Sequence, residues 1–243
     1  MESVGKSTKG VLVVHNESST GVTNDINKIG NALKDLDTLL IVDSVSGLGG
    51  LEFKMDEWNV DIALTSSQKA LMAPPGVALM GVSQKAYTAM ESSTFPKFYL
   101  DLRKARDINV THQTPWTPAI YTIFAIEEAL KMMFEEGLEN IYLRHIENTR
   151  ILIDGVKKLG LKLLVEDEKF ASPTLTAICT EGKSKKIVAG LAKEGIIIAG
   201  GVEPLANDII RVGTMGYVSK NDIYAFLIAL EIVMDELSSY SSI

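Results

Sequence analysis

The sequence predicts an α/β protein: part of a mainly parallel large-domain sheet, followed by a C-terminal α+β small domain. Three observations predict it. Near-continuous apolar runs rich in β-branched residues alternate with a helical pattern, as in strands buried on both faces. Polar, turn-forming residues follow directly on each of these runs. Beyond Gly137 the texture changes to short strands and helices in close alternation, so the boundary is placed there, giving units 1–136 and 137–243.

Residues 11–14 form the first buried strand, which ends in the polar cluster His15-Asn16-Glu17-Ser18-Ser19-Thr20-Gly21. Asn24 then reads as a helix N-cap, with Ile26, Ile29, Leu33 and Leu36 at helical spacing. Residues 38–42 form a second buried strand, closed by Asp43 and followed by a loop with Gly47, Gly49 and Gly50. Residues 61–65 form a third, closed by Ser66, Ser67, Gln68 and Lys69. After the turn Pro74-Pro75-Gly76, residues 76–82 read as a fourth strand, and so short a connection suits an antiparallel neighbour. Residues 95–117, bounded and interrupted by prolines, read as a long irregular excursion suited to subunit contact or function. One helix covers 119–136 and a second 138–159. Strands at 161–165, 174–179, 196–199 and 208–212 then alternate with helices at 184–194 and 220–237.

Composition narrows the function classes. Of 243 residues, 46% are hydrophobic and 23% charged, which suffices for a real core. A formal net charge of −7 repels phosphate backbones and argues against nucleic acid as a partner, and it suits a cytoplasmic protein. The one cysteine, Cys179, cannot form an internal disulfide. His15, His112 and His145 lack the spacing of a metal site. No apolar run reaches the length of a membrane span, and residues 1–9 lack a signal-peptide core.

Polar residues at strand ends are where ligands sit in open α/β sheets, and Ser18, Asp43 and Lys69 hold such places. A lysine in an apolar site loses solvation of its charged form, so its amine becomes a nucleophile able to form an imine with an aldehyde cofactor. The same amine can then move a proton at a substrate α-carbon. Taken alone, Lys69 reads as a solvated loop lysine, since most lysines are solvated; Asp43 at a neighbouring strand end favours the chemical reading. Asp43 suits a protonated pyridine nitrogen, which needs an anionic partner, but also a loop-ordering residue or a metal ligand. Ser18, Ser19 and Thr20 offer hydroxyls and N–H groups to a phosphate or a ring oxygen, or simply cap a helix. Arg211, between β-branched residues, is a carboxylate clamp or an edge-strand residue in water. Gly5-Lys6-Ser7 lacks the upstream glycine of a phosphate-binding loop, and Gly47-Leu48-Gly49-Gly50 has its third glycine misplaced for a dinucleotide fingerprint.

In order along the chain stand His15-Asn16-Glu17-Ser18-Ser19-Thr20-Gly21, Asp43-Ser44-Val45 with Gly49-Gly50, Ser67-Gln68-Lys69-Ala70 with Pro74-Pro75-Gly76, and Ile210-Arg211-Val212-Gly213. This set resembles the class V aminotransferases of fold type I, in the serine–pyruvate / alanine–glyoxylate branch. The resemblance implies pyridoxal 5′-phosphate (PLP) carried on Lys69. Asp43 would pair with the pyridine nitrogen, Val45 would pack on the ring, Ser18 would bond the phenolic oxygen region and Gln68 would lie near the phosphate. Thr117, or less readily Thr114, would reach the phosphate of a neighbouring subunit's cofactor, and Arg211 would bind the substrate carboxylate. The implied reaction moves an amino group between a small amino acid, alanine or serine, and a 2-oxo acid, glyoxylate or pyruvate. Family members begin with a further segment on the order of 140 residues, about a domain's worth. The chain is therefore expected to need that portion for a complete site, as a homodimer or in assembly with a separate N-terminal chain. Two other readings remain: a non-catalytic or degenerate subunit, and a cysteine desulfurase-like PLP lyase using Cys179.

Overall fold

In the computed structural model, which describes residues 4, 5 and 7–240, the apolar runs of the N-terminal half pair into one sheet. β1 (Gly10–Val14) leads into a two-stranded ribbon of β2 (Asn16–Glu17) and β3 (Val22–Thr23), and then α1 (Ile26–Leu33). β4 (Leu39–Asp43), β5 (Ile62–Ser66) and β6 (Ala78–Val82) complete the sheet. α2 (Gln84–Glu91) and α3 (Leu102–Asn109) precede two long helices, α4 (Ile120–Glu136) and α5 (Leu138–Lys158). The remainder is β7 (Leu175–Cys179), α6 (Ser184–Lys193), β8 (Ala199–Gly200), β9 (Ile209–Gly213) and α7 (Lys220–Tyr240).

The first sheet has the order β1-β4-β5-β6. β1 and β5 both run parallel to β4, while β6 returns antiparallel to β5, as its short connection predicts. The second sheet, β7-β9-β8, is antiparallel throughout. α1 lays Ile26 and Leu33 on the first sheet against Leu40, Val42 and Ala63. A larger core gathers α5, α6 and α7 on the second sheet around Leu152, Ile178, Ile210 and Leu230. Leu71, Met133 and Ile141 form a small cluster that joins α4 and the start of α5 to the turn after β5. α5 thus contributes its first turns to one half of the molecule and its last turns to the other.

Four expectations change. The N-cap of α1 is Asp25, whose carboxylate accepts from Lys28 N–H, rather than Asn24. Asn24 instead closes β1, donating from its amide to Val14 O and from its backbone to His15 O. The 95–117 excursion contains a helix, α3, capped by Asp101; it buries no residue fully, and its apolar stripe is only Leu102, Ala105 and Ile108. Residues 161–165 make only an isolated bridge, Leu163 to Ile178, and the strand at 196–199 shrinks to Ala199–Gly200. Of residues 1–9 and the Gly5-Lys6-Ser7 triplet, residues 1–3 and 6 lie outside the described residues. Among the described residues no helix is long and apolar enough to cross a membrane.

Two features of the first core give measurable consequences. A Cβ added at Gly30 would stand 1.7 Å from Trp58 O, a backbone atom that cannot step aside without moving its segment. Gly30→Ala should therefore cost about 1–3 kcal/mol, read as a lowered midpoint in urea unfolding. His15 is 3% exposed, packs on Phe53 and Trp58, and has its ring pKa lowered from 6.5 to about 4 by burial. The unfolded chain takes up this proton near 6.5, whereas the folded chain refuses it until about 4. Stability therefore falls as pH drops through that window. Thermal melts between pH 6.5 and 5 should show the decline, and His15→Asn should flatten it.

Candidate active site

Because β1, β4 and β5 run parallel, their C-terminal ends share one edge, with Val14, Asp43 and Leu64 level across it. Three loops leave this edge. Asp43 ends β4 with its carboxylate exposed. One oxygen accepts from Val45 N–H at 3.0 Å, and the other has no hydrogen-bond partner among the described residues. Val45 is half-buried beside it.

Lys69 sits in the loop after β5, and Ser67 sets the shape of that loop. Ser67 N–H donates to Val77 O at 3.0 Å, Ser67 O accepts from Ala73 N–H at 2.9 Å, and its hydroxyl donates to Pro74 O at 2.7 Å. The turn tightens through Met72 N–H to Lys69 O at 2.9 Å, which places Met72 at a left-handed φ of 57°. Lys69 is half-buried, and among the described residues no acid or carbonyl engages its amine. Gln68 beside it is exposed.

Ser18 and Arg211 are brought together from 193 residues apart. Arg211 lies in β9, the central strand of its sheet, level with Ala177 and Ala199, so it is not an edge-strand residue. Its Nη1 donates to Ser18 O at 3.0 Å and its Nε to Gly200 O at 2.8 Å. The Ser18 hydroxyl lies 3.3 Å from that of Ser46, in the loop after Asp43. Glu17 next door has its carboxyl held below the usual range, first by Ser19 N–H and also by the charge of Arg211. Ser18, the Asp43 loop and Arg211 therefore form one contiguous group. Thr117 is not part of it: it is exposed in the segment around Trp116, which stacks on Tyr99 with centroids 5.2 Å apart. Thr114 turns its hydroxyl onto Trp116 O.

Two sets of residues escaped sequence reading. Asn16, read as a turn residue, ties Ser46 O and Thr174 Oγ1 together through its amide. Arg144, His145, Asn148 and Thr149 on one face of α5 grip the segment 214–218 that follows Arg211. Their same-face spacing was the available signal, but a polar helix face ordinarily means solvent.

Known proteins resemble this chain in sequence and fold. The family model Aminotransferase class-V matches residues 1–226. The soluble hydrogenase small subunit of Synechococcus sp. is 42% identical over 235 residues, 96% of this chain and 61% of that protein. The serine–glyoxylate aminotransferase of Methylorubrum extorquens is 36% identical over 222 residues, 87% of this chain and 55% of that protein. The crystal structure of ureidoglycine–glyoxylate aminotransferase from Bacillus subtilis matches with a TM-score of 0.84 and 34% identity, covering 94% of this chain and 60% of that one. The chain thus spans 55–61% of the length of these relatives. Its α/β architecture is that of fold type I, the PLP-dependent aminotransferase fold expected from the sequence. On the extent of the family match and these identities, the chain belongs to the class-V aminotransferases.

Proposed function

We propose that this chain supplies the lysine, the acidic ring partner and the carboxylate clamp of a PLP-dependent transaminase. Its substrates on this reading are a small amino acid, alanine or serine, and a 2-oxo acid, glyoxylate or pyruvate. The observation that carries the reading is the common sheet edge of Lys69 and Asp43, reached also by Arg211 through its bond to Ser18.

The residues present fit the cofactor. Lys69 has an uncommitted amine and Asp43 an uncommitted carboxylate oxygen, complements to an aldehyde and a pyridinium nitrogen. Two further hydroxyls, Ser66 Oγ at the end of β5 and Thr20 Oγ1 in the Ser18 turn, are buried without partners and available to a polar group. When bound, PLP supplies an aldehyde for exchange with amines and a ring that accepts electron density from the substrate α-carbon. Lys69 holds the cofactor and moves the proton at that carbon. Asp43 keeps the ring nitrogen protonated, Val45 packs on the ring, Ser18 faces the phenolic oxygen, and Gln68 bonds near the phosphate. Arg211 orients the amino acid by its carboxylate. Thr117, exposed and apart from these residues, serves the phosphate of a neighbouring subunit in a homodimer.

Asp43 and Gln68 stand open to solvent, and Leu12 on the unpaired outer edge of β1 is 78% exposed. These features support a site completed by further residues, from the same polypeptide or a separate chain. A division into 1–136 and 137–243 leaves the first turns of α5, through Ile141, packed on the first unit, and its last turns, through Leu152 and Val156, in the core of the second. The acidic composition suits the cytoplasm. A desulfurase reading fares worse: Cys179 lies in β7 paired with β9, and burial pushes its thiol pKa up, away from a reactive thiolate.

Lys69→Ala should abolish the visible absorption of the lysine-bound cofactor and lower turnover of the complete assembly by about 10²-fold or more. Unchanged absorption and turnover would support the non-catalytic reading. Arg211→Lys should raise the amino-acid KM roughly tenfold with little change in cofactor affinity, because an ammonium cannot reproduce the two-pronged contact. Steady-state kinetics beside a cofactor titration checks this.

A further inference from the structure

His145 is fully buried in α5, with 0% exposure, and both its ring nitrogens are engaged. Nδ1 lies 3.0 Å from Gly50 O, and Nε2 accepts from Gly216 N–H at 3.1 Å. A carbonyl only accepts and a backbone N–H only donates, so the ring is neutral with its proton on Nδ1. Its surroundings agree. Burial lowers the ring pKa and the Arg144 cation lowers it further, against an opposing pull from the bond to Gly50 O and from Glu136.

The two anchors belong to different parts of the site. Gly50 closes the loop that Asp43 opens, and Gly216 lies in the segment that leaves the strand of Arg211. The Gly216 peptide is held at both ends, because Gly216 O accepts from Arg144 Nη1. Arg144 is itself fixed by two bonds to Glu136, at 2.6 and 2.9 Å. Gly216 also abuts the Lys69 turn: a Cβ there would stand 3.4 Å from Met72 Cγ.

We propose that His145 is a positioning residue that sets the spacing between the Asp43 loop and the Arg211 loop, so that ring partner and carboxylate clamp address one ligand. The inference rests on the transaminase reading. Two half-substitutions divide the bridge. His145→Asn places an amide near the Nδ1 position, keeping the bond to Gly50 O and losing that from Gly216. His145→Gln reaches the Nε2 position, keeping Gly216 and losing Gly50.

In the complete assembly, His145→Asn should raise the amino-acid KM by roughly fivefold with the cofactor spectrum unchanged, the cost of one hydrogen bond. His145→Gln should instead weaken cofactor binding by a similar factor and shift its absorption. Hydrogen exchange should quicken at 213–218 in the first variant and at 46–51 in the second. Equal losses of thermal stability in both, with KM, cofactor affinity and the exchange pattern unmoved, would overturn the proposal. If either variant does not fold, ¹⁵N-histidine NMR of the unsubstituted protein reads the premise. A neutral Nδ1–H ring across pH 6–8 supports it, and an Nε2–H or charged ring overturns it. Absence of turnover in the unsubstituted assembly would count against the transaminase reading alone, while the exchange comparison would still report on the bridge.

Discussion

Asn16 is 2% exposed, and its carboxamide is engaged on three sides. It donates to Ser46 O at 2.7 Å and to Thr174 Oγ1 at 3.1 Å, and accepts from Thr23 Oγ1 at 2.9 Å. Ser46 belongs to the Asp43 loop, Thr174 precedes β7, and Thr23 closes the ribbon that carries Ser18. One side chain thus joins the ends of two parallel strands to the second sheet, across 158 positions of sequence. The Ser18 carbonyl that steadies Arg211 is placed by this ribbon, so the position of Arg211 depends on the amide as well. Leaving any of these buried partners unpaired costs about 1–3 kcal/mol. The site is therefore a product of tertiary hydrogen bonding between loops rather than of the strands alone.

What was legible in the sequence follows from that division. β1, β4 and β5 are apolar throughout, so they announced themselves, although Leu12 and Val14 leave one face of β1 open, and the polar residue ending each was visible by position. Asp43 and Lys69 were singled out as candidates in this way. The reversal of β6 was readable from the short path through Pro74-Pro75-Gly76. α3 was not, because it buries nothing fully and its short apolar stripe of Leu102, Ala105 and Ile108 is outnumbered by charged residues in a proline-bounded segment. Asn24 and Asp25 are both good capping residues. Which one caps was decided by the end of β1, whose last carbonyls Asn24 satisfies.

Arg211 and His145 mark the limit of such reading. A charged residue inside a β-branched strand is ambiguous until the strand order is known, and only the central place of β9 removes the edge-strand alternative. His145 finds its partners 95 and 71 residues away, on backbone groups that carry no side-chain signature. Spacing within α5 places Arg144, His145, Asn148 and Thr149 on one face, but not what that face meets. Periodicity reports whether a face is apolar, whereas a polar face buried against loop backbone leaves no periodic trace.

Arg211 already donates to the carbonyls of Gly200 and Ser18 before any anion arrives. A free arginine carries about 2 kcal/mol of rotamer entropy that an anion would otherwise have to remove on binding. Here folding has removed it, and the unused N–H donors of the guanidinium form an edge with a set direction. In the proposed role of Arg211 the clamp is preorganised, so an arriving carboxylate meets a rigid surface and need not select one conformer from many. Encounter with such a site is governed by diffusion and orientation rather than by rearrangement of the receptor.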